Sequence, residues 1–185
     1  MGPVGSPTWL AMVEAAEAIL REHGYAELTS RSVAERVGVK QRLVYYYFST
    51  MDDLVVATFR TLAERELGRL RSALEGERPI HEIWNVCVHT SDARLIAEFT
   101  ALANRVEPLR AEVIAYVETT RRMQIEALAG TSGFNDAFGS LPPAAVAVLA
   151  TSVALSLTRE GELGVSMGHA ETLRLIDGLI GRLEP

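Results

Sequence analysis

The chain has 185 residues, of which 48% are apolar, 6% aromatic and 23% charged. These proportions fit one globular domain, or one domain with a small module, and exclude disordered and fibrous classes. Eighteen Lys and Arg against 24 Asp and Glu leave a formal net charge of −6, which argues against a surface that coats nucleic acid or membrane over its whole extent.

Residues 1–8 hold neither a basic run nor an apolar core, so they are expected to form a flexible lead-in and not a signal peptide. Period-2 alternation is absent, and apolar residues recur at helical spacing along nearly the whole chain. The expected fold is therefore all-α, with about nine helices. The first runs from about Trp9 to His23, capped by Thr8 and stopped by Gly24 in a left-handed conformation, with Met12, Ala16, Ile19 and Leu20 inward. Thr29 or Ser30 caps a short second helix, Arg31 to Val37, which Gly38 ends. A third, about Gln41 to Phe48, follows almost without a connection. Thr50 stands three residues before Asp53, a Ser/Thr-x-x-acid cap, and opens a fourth helix that extends to Leu74. Ile80 to Val88, Leu95 to Ala103 and Leu109 to Leu128 mark the next three. Gly130 to Ser140 reads as a loop, Pro142 and Pro143 open another helix, Gly161 to Gly168 reads as a second loop, and Leu173 to Leu183 marks the last helix. The expected partition is a lead-in (1–8), a three-helix unit (9–50) and a larger helical body (51–185).

Residues 28–48 hold Arg31, Arg36, Lys40 and Arg42 against Glu35 alone, a local balance of +3 in an acidic protein. Two short helices joined by a glycine-containing turn describe a helix-turn-helix, whose second helix enters a DNA major groove. Thr29 and Ser30 bring hydroxyls and free N–H groups to a helix start, which suits a phosphate. Lys40, Gln41 and Arg42 fall at the N-terminal end of the second of these helices. Arg and Lys pair with guanine O6/N7, and Gln with adenine N6/N7. Tyr45, Tyr46 and Tyr47 fan out by about 100° each, while Val44 and Phe48 face inward. At least two phenols are therefore displayed. Plain packing of a tyrosine-rich helix is the other reading of the same residues.

The segment resembles the DNA-binding unit of TetR-type transcriptional regulators. The matching residues are Leu28, Thr29 and Arg31, the Val33–Arg36 helix, Gly38-Val39, the Tyr45–Phe48 run and Asp53-Leu54, together with the long helix before Gly24-Tyr25. The resemblance covers about residues 9–55; beyond that the chain matches only in length and helical character. It implies a repressor that binds palindromic DNA as a dimer and releases it when a small ligand enters the C-terminal body. It places Thr29, Tyr45 and Tyr47 at phosphates, and Arg31, Gln41 and Tyr46 at bases. Two positions depart from the pattern. Leu43 replaces a small hydroxyl residue, and Met51 replaces a lysine. Lys40 and Arg42 stand where uncharged residues are common and would compensate. Ser30 and Thr50 complete the expected DNA-contacting set.

Leu141 to Thr158 carries no charge across 18 residues. It opens with two prolines, holds four Ser/Thr and five Ala, and falls short of the ~20 strongly apolar residues a membrane span needs. A helix apolar all round is otherwise buried on every side, which implies a homodimer through a four-helix bundle, with Val153, Leu157, Leu173, Ile176 and Ile180 at the interface. Burial at the centre of the monomer is the alternative. Phe59, Trp84, Cys87, Phe99, Leu102, Tyr116, Met123 and Leu149 are the expected lining of an effector pocket. Few charges lie on these stripes, so an apolar or aromatic small molecule fits better than a sugar phosphate.

No cofactor or metal is expected. His23, His81, His89 and His169 lack the four-residue spacing of a helical metal pair. A single cysteine, Cys87, permits no intramolecular disulfide and suits a reducing cytoplasm; between Val86 and Val88 it reads as inert packing. The reading is thus a ligand-responsive regulator with double-stranded DNA, a second copy and an effector as partners, and no membrane. The alternative is a helical small-molecule-binding protein or enzyme whose N-terminal unit is only structural. No Ser-His-Asp spacing, phosphate loop or carboxylate cluster supports catalysis.

Overall fold

The structure is a computed structural model that describes residues 2–88 and 93–184. Within them lie ten α-helices, one short 3-10 turn and no strand. The helices are α1 (Pro7–His23), α2 (Ser30–Val37), α3 (Gln41–Tyr47), α4 (Met51–Leu74), α5 (Pro79–Val88), α6 (Ala93–Leu102), α7 (Glu107–Gly130), α8 (Phe134–Phe138), α9 (Pro143–Glu162) and α10 (His169–Leu183). Contacts divide the chain into two units: residues 1–65 with 94–116, and residues 66–93 with 117–185. This packing division falls elsewhere than the expected boundary at residue 50, because α4 and α7 each give residues to both units.

In the first unit, Ser6 caps α1, its side chain accepting from the Trp9 N–H at 3.3 Å. Pro7 sits at the start, where its missing N–H costs nothing. The helix therefore takes Pro7 and Thr8 from the expected lead-in, and Thr8 is not the cap. Gly24 ends α1 at φ 78°, ψ −179°, a glycine region distinct from the left-handed helical well anticipated from the sequence. Thr29 caps α2 through a reciprocal box with Ser32. Gly38 ends α2 with φ 75°; its N–H reaches the Glu35 carbonyl and that of Val39 the Ala34 carbonyl, a Schellman ending that turns the chain straight into α3. Thr50 and Asp53 cap α4 reciprocally, at 2.9 and 3.1 Å.

These caps aim every helix of the unit at one core. Met12, Val33, Val44, Leu54, Phe59, Phe99 and Leu109 are at most 2% exposed. Phe59 meets Phe99 and Tyr116 edge-on, with ring centroids 5.2 and 5.9 Å apart. Leu102 is buried in the same cluster. Phe59, Phe99 and Leu102 thus belong to this core and Tyr116 packs against it, so these four expected pocket residues do not line the cavity of the second unit described below. At the periphery, Arg36 clasps Glu22 through both carboxylate oxygens at 2.6 and 2.8 Å, tying α2 to α1. Glu98 of α6 accepts from the Tyr25 N–H at 3.1 Å.

In the second unit, α5 packs on α9 and α8 packs on α10. Trp84, Leu128, Phe134, Val146, Ala147, Ala154, Ile180 and Leu183 form its main core. Glu184 closes the N-terminus of α5, accepting from the Ile80 and His81 N–H groups at 2.7 and 3.0 Å. The glycine-rich stretch read as a loop contains the single turn α8, in which Phe134 and Phe138, four residues apart, meet at a tilt with ring centroids 5.3 Å apart. The last loop begins later than expected, since α9 runs to Glu162.

Candidate nucleic-acid interface and apolar cavity

The Schellman turn displays α3 along one side. Val44 and Phe48 are 1% and 3% exposed, as their four-residue spacing requires. Tyr45 and Tyr46 are half exposed, at 51% and 52%. Tyr47 packs partly into the core, with its ring edge-on to Tyr46 at 5.3 Å. Leu43 and Met51 also pack against that core, so Leu43 fills space at the base of the helix. Gly2 lies on the same tyrosines. Its N–H donates to the Tyr46 carbonyl at 2.8 Å, and a Cβ there would stand 2.4 Å from the Tyr47 ring, so a larger residue would displace that ring.

Two cations of the basic segment are engaged. Arg36 is held by Glu22, and Arg31 pairs with Glu35 one turn along α2 at 2.8 Å. The hydrogen bond to Glu35 raises the Arg31 guanidinium above its ordinary value. Lys40 and Arg42 are exposed at the start of α3, and neither makes an ion pair among the described residues. Positive potential available to a polyanion therefore concentrates at the N-terminal end of α3, where helix geometry presents side chains to base edges. Glu35 holds Arg31 through Nε, and the side chain stays largely exposed.

The expected hydroxyls divide by burial. Thr29 and Thr50 are exposed, each serving as a helix cap. Ser30 is 5% exposed. Its Oγ accepts from Gln41 Nε2 at 2.8 Å and donates to the Tyr45 hydroxyl at 3.2 Å. The expectation of Ser30 as a displayed phosphate ligand is therefore corrected: Tyr45 folds over it, a contact fifteen residues distant in sequence that no local pattern signals.

A cavity of about 280 Å³ opens inside the second unit. Trp84 and Cys87 of α5, Gln124 and Leu128 of α7, Val146, Leu149 and Val153 of α9, and Ile176 and Ile180 of α10 line it. Of the expected lining, Trp84, Cys87 and Leu149 are present. Met123 packs beside it with Leu70, Ala73 and Ile83. Among the described residues no charged side chain reaches the wall; its polar groups are Cys87, Gln124, Thr151 and Thr172. Burial pushes the Cys87 thiol up to about 11, against the hydrogen bond that the Gln124 amide gives its sulfur at 3.7 Å. The thiol is thus neutral at physiological pH, as inert packing requires.

Val153, Leu157, Leu173 and Ile176 are turned into this unit's own core, and Ile180 is 5% exposed. The first four are only partly buried there. The outward apolar residues of α9 and α10 are Val148, Leu149, Leu155 and Leu175, which are 38–65% exposed. By length and composition alone α9 could cross a membrane, with 17% of its apolar window buried. Among the histidines, His81 bonds Asn85 and His169 bonds Glu160; His89 lies outside the described residues. No three His, Cys, Asp or Glu side chains among the described residues are grouped to hold a metal.

The profile of the "Bacterial regulatory proteins, tetR family" matches residues 12–58. Over this segment the chain resembles the TetR family. The TetR-type match spans α1, α2, α3 and the start of α4, the elements that close on Val44 and Phe48. Over 107 residues the chain is 28% identical to the HTH-type transcriptional regulator HbdR of Aromatoleum sp. (strain CIB), covering 55% of this chain and 45% of HbdR. Over 72 residues it is 35% identical to the HTH-type transcriptional regulator BetI of Brucella canis, covering 38% of this chain and 36% of BetI. The chain thus spans less than half the length of these curated relatives. A TetR transcription regulator from Haloarcula marismortui shares the fold with a TM-score of 0.74 at 21% identity, over 97% of each chain. These relatives and neighbours are transcriptional regulators and not enzymes.

Proposed function

We propose that the protein is a cytoplasmic, homodimeric repressor that binds a palindromic operator and leaves it when a small apolar or aromatic molecule enters the cavity of the second unit. The observation that carries the DNA-binding part is the end of α3. Lys40 and Arg42 stand exposed there beside Gln41, Tyr45 and Tyr46, on a helix whose other side is fixed by Val44 and Phe48. Lys40, Arg42 and Arg31 supply cations and base-edge donors. Gln41 and Tyr46 read bases, while Thr29, Tyr45, Tyr47 and Thr50 meet phosphates. Such contacts position the helix through the backbone and specify through the bases.

An effector is supported by the cavity, whose wall carries no charged side chain among the described residues. Buried unpaired charge is expensive, so a neutral apolar ligand fits it better than a phosphorylated metabolite. Dimerisation is supported by Val148, Leu149, Leu155 and Leu175. These residues leave an apolar face on two helices, suited to a four-helix bundle with a second copy. Two-fold symmetry would set the paired α3 helices about one DNA turn, ~34 Å, apart.

The test is an electrophoretic shift with DNA from beside the protein's own gene. A specific shift that competitor DNA does not remove, and that a neutral apolar compound abolishes, is expected. Absence of any specific shift overturns the DNA-binding reading. A shift that only highly charged metabolites relieve overturns the proposed effector class. Light scattering at micromolar concentration checks the dimer, and a monomer there contradicts it.

A further inference from the structure

We infer that Ser30 is a positioning residue for DNA recognition, whose buried hydroxyl fixes the base-reading amide of Gln41 and the phenol of Tyr45 before DNA arrives. The inference rests on the proposed DNA-binding function and assigns a role inside it that exposure alone would deny to Ser30, which is 5% exposed.

The three groups form a directed chain. Gln41 Nε2 donates to Ser30 Oγ at 2.8 Å, and Ser30 donates onward to the Tyr45 hydroxyl at 3.2 Å. Each group polarises the next in the same sense, which strengthens such a chain. Valence then dictates what remains. Gln41 keeps one amide N–H and its carbonyl oxygen, the donor and acceptor that a bidentate contact to adenine N7 and N6 requires. Tyr45 keeps its own phenol proton, suited to a phosphate oxygen. The amide's two ends are also distinguished: with its nitrogen held at Ser30, Gln41 resists the 180° flip that would exchange donor for acceptor.

Local structure makes Ser30 a stable anchor. It is the first residue of α2, directly after the Thr29–Ser32 capping box, so its backbone is pinned by a neighbour that performs the capping. Its hydroxyl is therefore released from capping and is used across the turn instead. Without it, the exposed Gln41 side chain would be free to sample rotamers and would pay that entropy on binding.

The test is selection of duplexes from a randomised library by wild-type protein and by Ser30→Ala, Ser30→Cys, Gln41→Ala and Tyr45→Phe. Wild type is expected to enrich a symmetric consensus that includes an adenine preference. Ser30→Ala should lose that preference about tenfold, at the positions where Gln41→Ala loses it, and leave the other positions unchanged. Ser30→Cys keeps the size of serine but hydrogen-bonds weakly, so it should match Ser30→Ala. Tyr45→Phe should lower affinity evenly across sequences. Adding Ser30→Ala to Gln41→Ala should cause no further loss of base preference. A Ser30→Ala profile identical to wild type overturns the inference, as does an even loss at every position in a variant with unchanged helical circular dichroism. If wild type itself enriches no consensus, the DNA-binding reading is the one that fails.

Discussion

The two units use the same raw material, amphipathic helices of similar composition, to opposite ends. In the first, Phe59 and Phe99 meet edge-on at 2% and 0% exposure and the core is closed. In the second, α5, α9 and α10 leave about 280 Å³ unfilled among residues just as apolar. A closed core holds α3 in one geometry, as a reading surface needs. A hollow one has volume that the proposed effector would fill. The contrast follows from side-chain size: α9 buries Val146, Ala147 and Ala154, too small to fill the space that Trp84 and Ile176 enclose.

The contrast is broken most forcefully by equivalent truncations. Phe59→Ala should cost about 3–5 kcal/mol, the range for a buried phenylalanine, whereas Leu128→Ala, at a buried residue bordering the cavity, should cost about 2 kcal/mol, the low end for a buried aliphatic side chain. Urea denaturation of both variants checks this; equal costs would mean that the units are packed alike. Next in size, Lys40→Ala and Arg31→Ala should each weaken specific DNA affinity by about 1–3 kcal/mol, measured by fluorescence anisotropy at fixed salt, while leaving thermal midpoints unchanged. If both bind as wild type, the reading face has been misplaced. Glu184→Ala should cost about 1–2 kcal/mol through the two α5 N–H groups it leaves open, seen as a lower thermal midpoint with no loss of DNA affinity per folded molecule.

Smaller effects sharpen the same contrast through titration. Hydrogen bonds from Arg36 hold the exposed Glu22 carboxyl below its ordinary value of 4.5. Bonds from His169 and Ser156 do the same for Glu160 in the second unit. A carboxyl lowered by folding stabilises the protein above its unfolded value, and that contribution disappears as pH falls through the lowered folded value. The thermal-midpoint difference between wild type and Glu22→Gln should therefore be small at neutral pH and vanish in acid; a difference that grows on acidification contradicts the pairing. Cys87 titrates the other way. With its thiol pushed up to about 11, alkylation by iodoacetamide should be slow at pH 7 and accelerate only toward that value.

What the sequence revealed was mostly local. Gly38, the Thr50-x-x-Asp53 cap and the four-residue pair Val44 and Phe48 each act within a turn, so α2, α3 and α4 were legible to within a residue or so. The limits came from contacts distant in sequence. Helical periodicity says which way Phe99 and Trp84 face, but not whether what they face is another side chain or empty space. Four expected pocket residues therefore proved to pack in or against a core. The burial of Ser30 depends on Tyr45 across the turn, and the phase of Leu173 and Ile176 on α5 and α8.

Hydrogen exchange measured with and without a duplex taken from beside the protein's own gene tests the central claim most directly. DNA should slow exchange at the start of α2 and along the turn and α3, residues 29–47, and leave the outer face of α9 and α10 unchanged. Slowing confined to α9 and α10, with residues 29–47 exchanging as in the free protein, would contradict it.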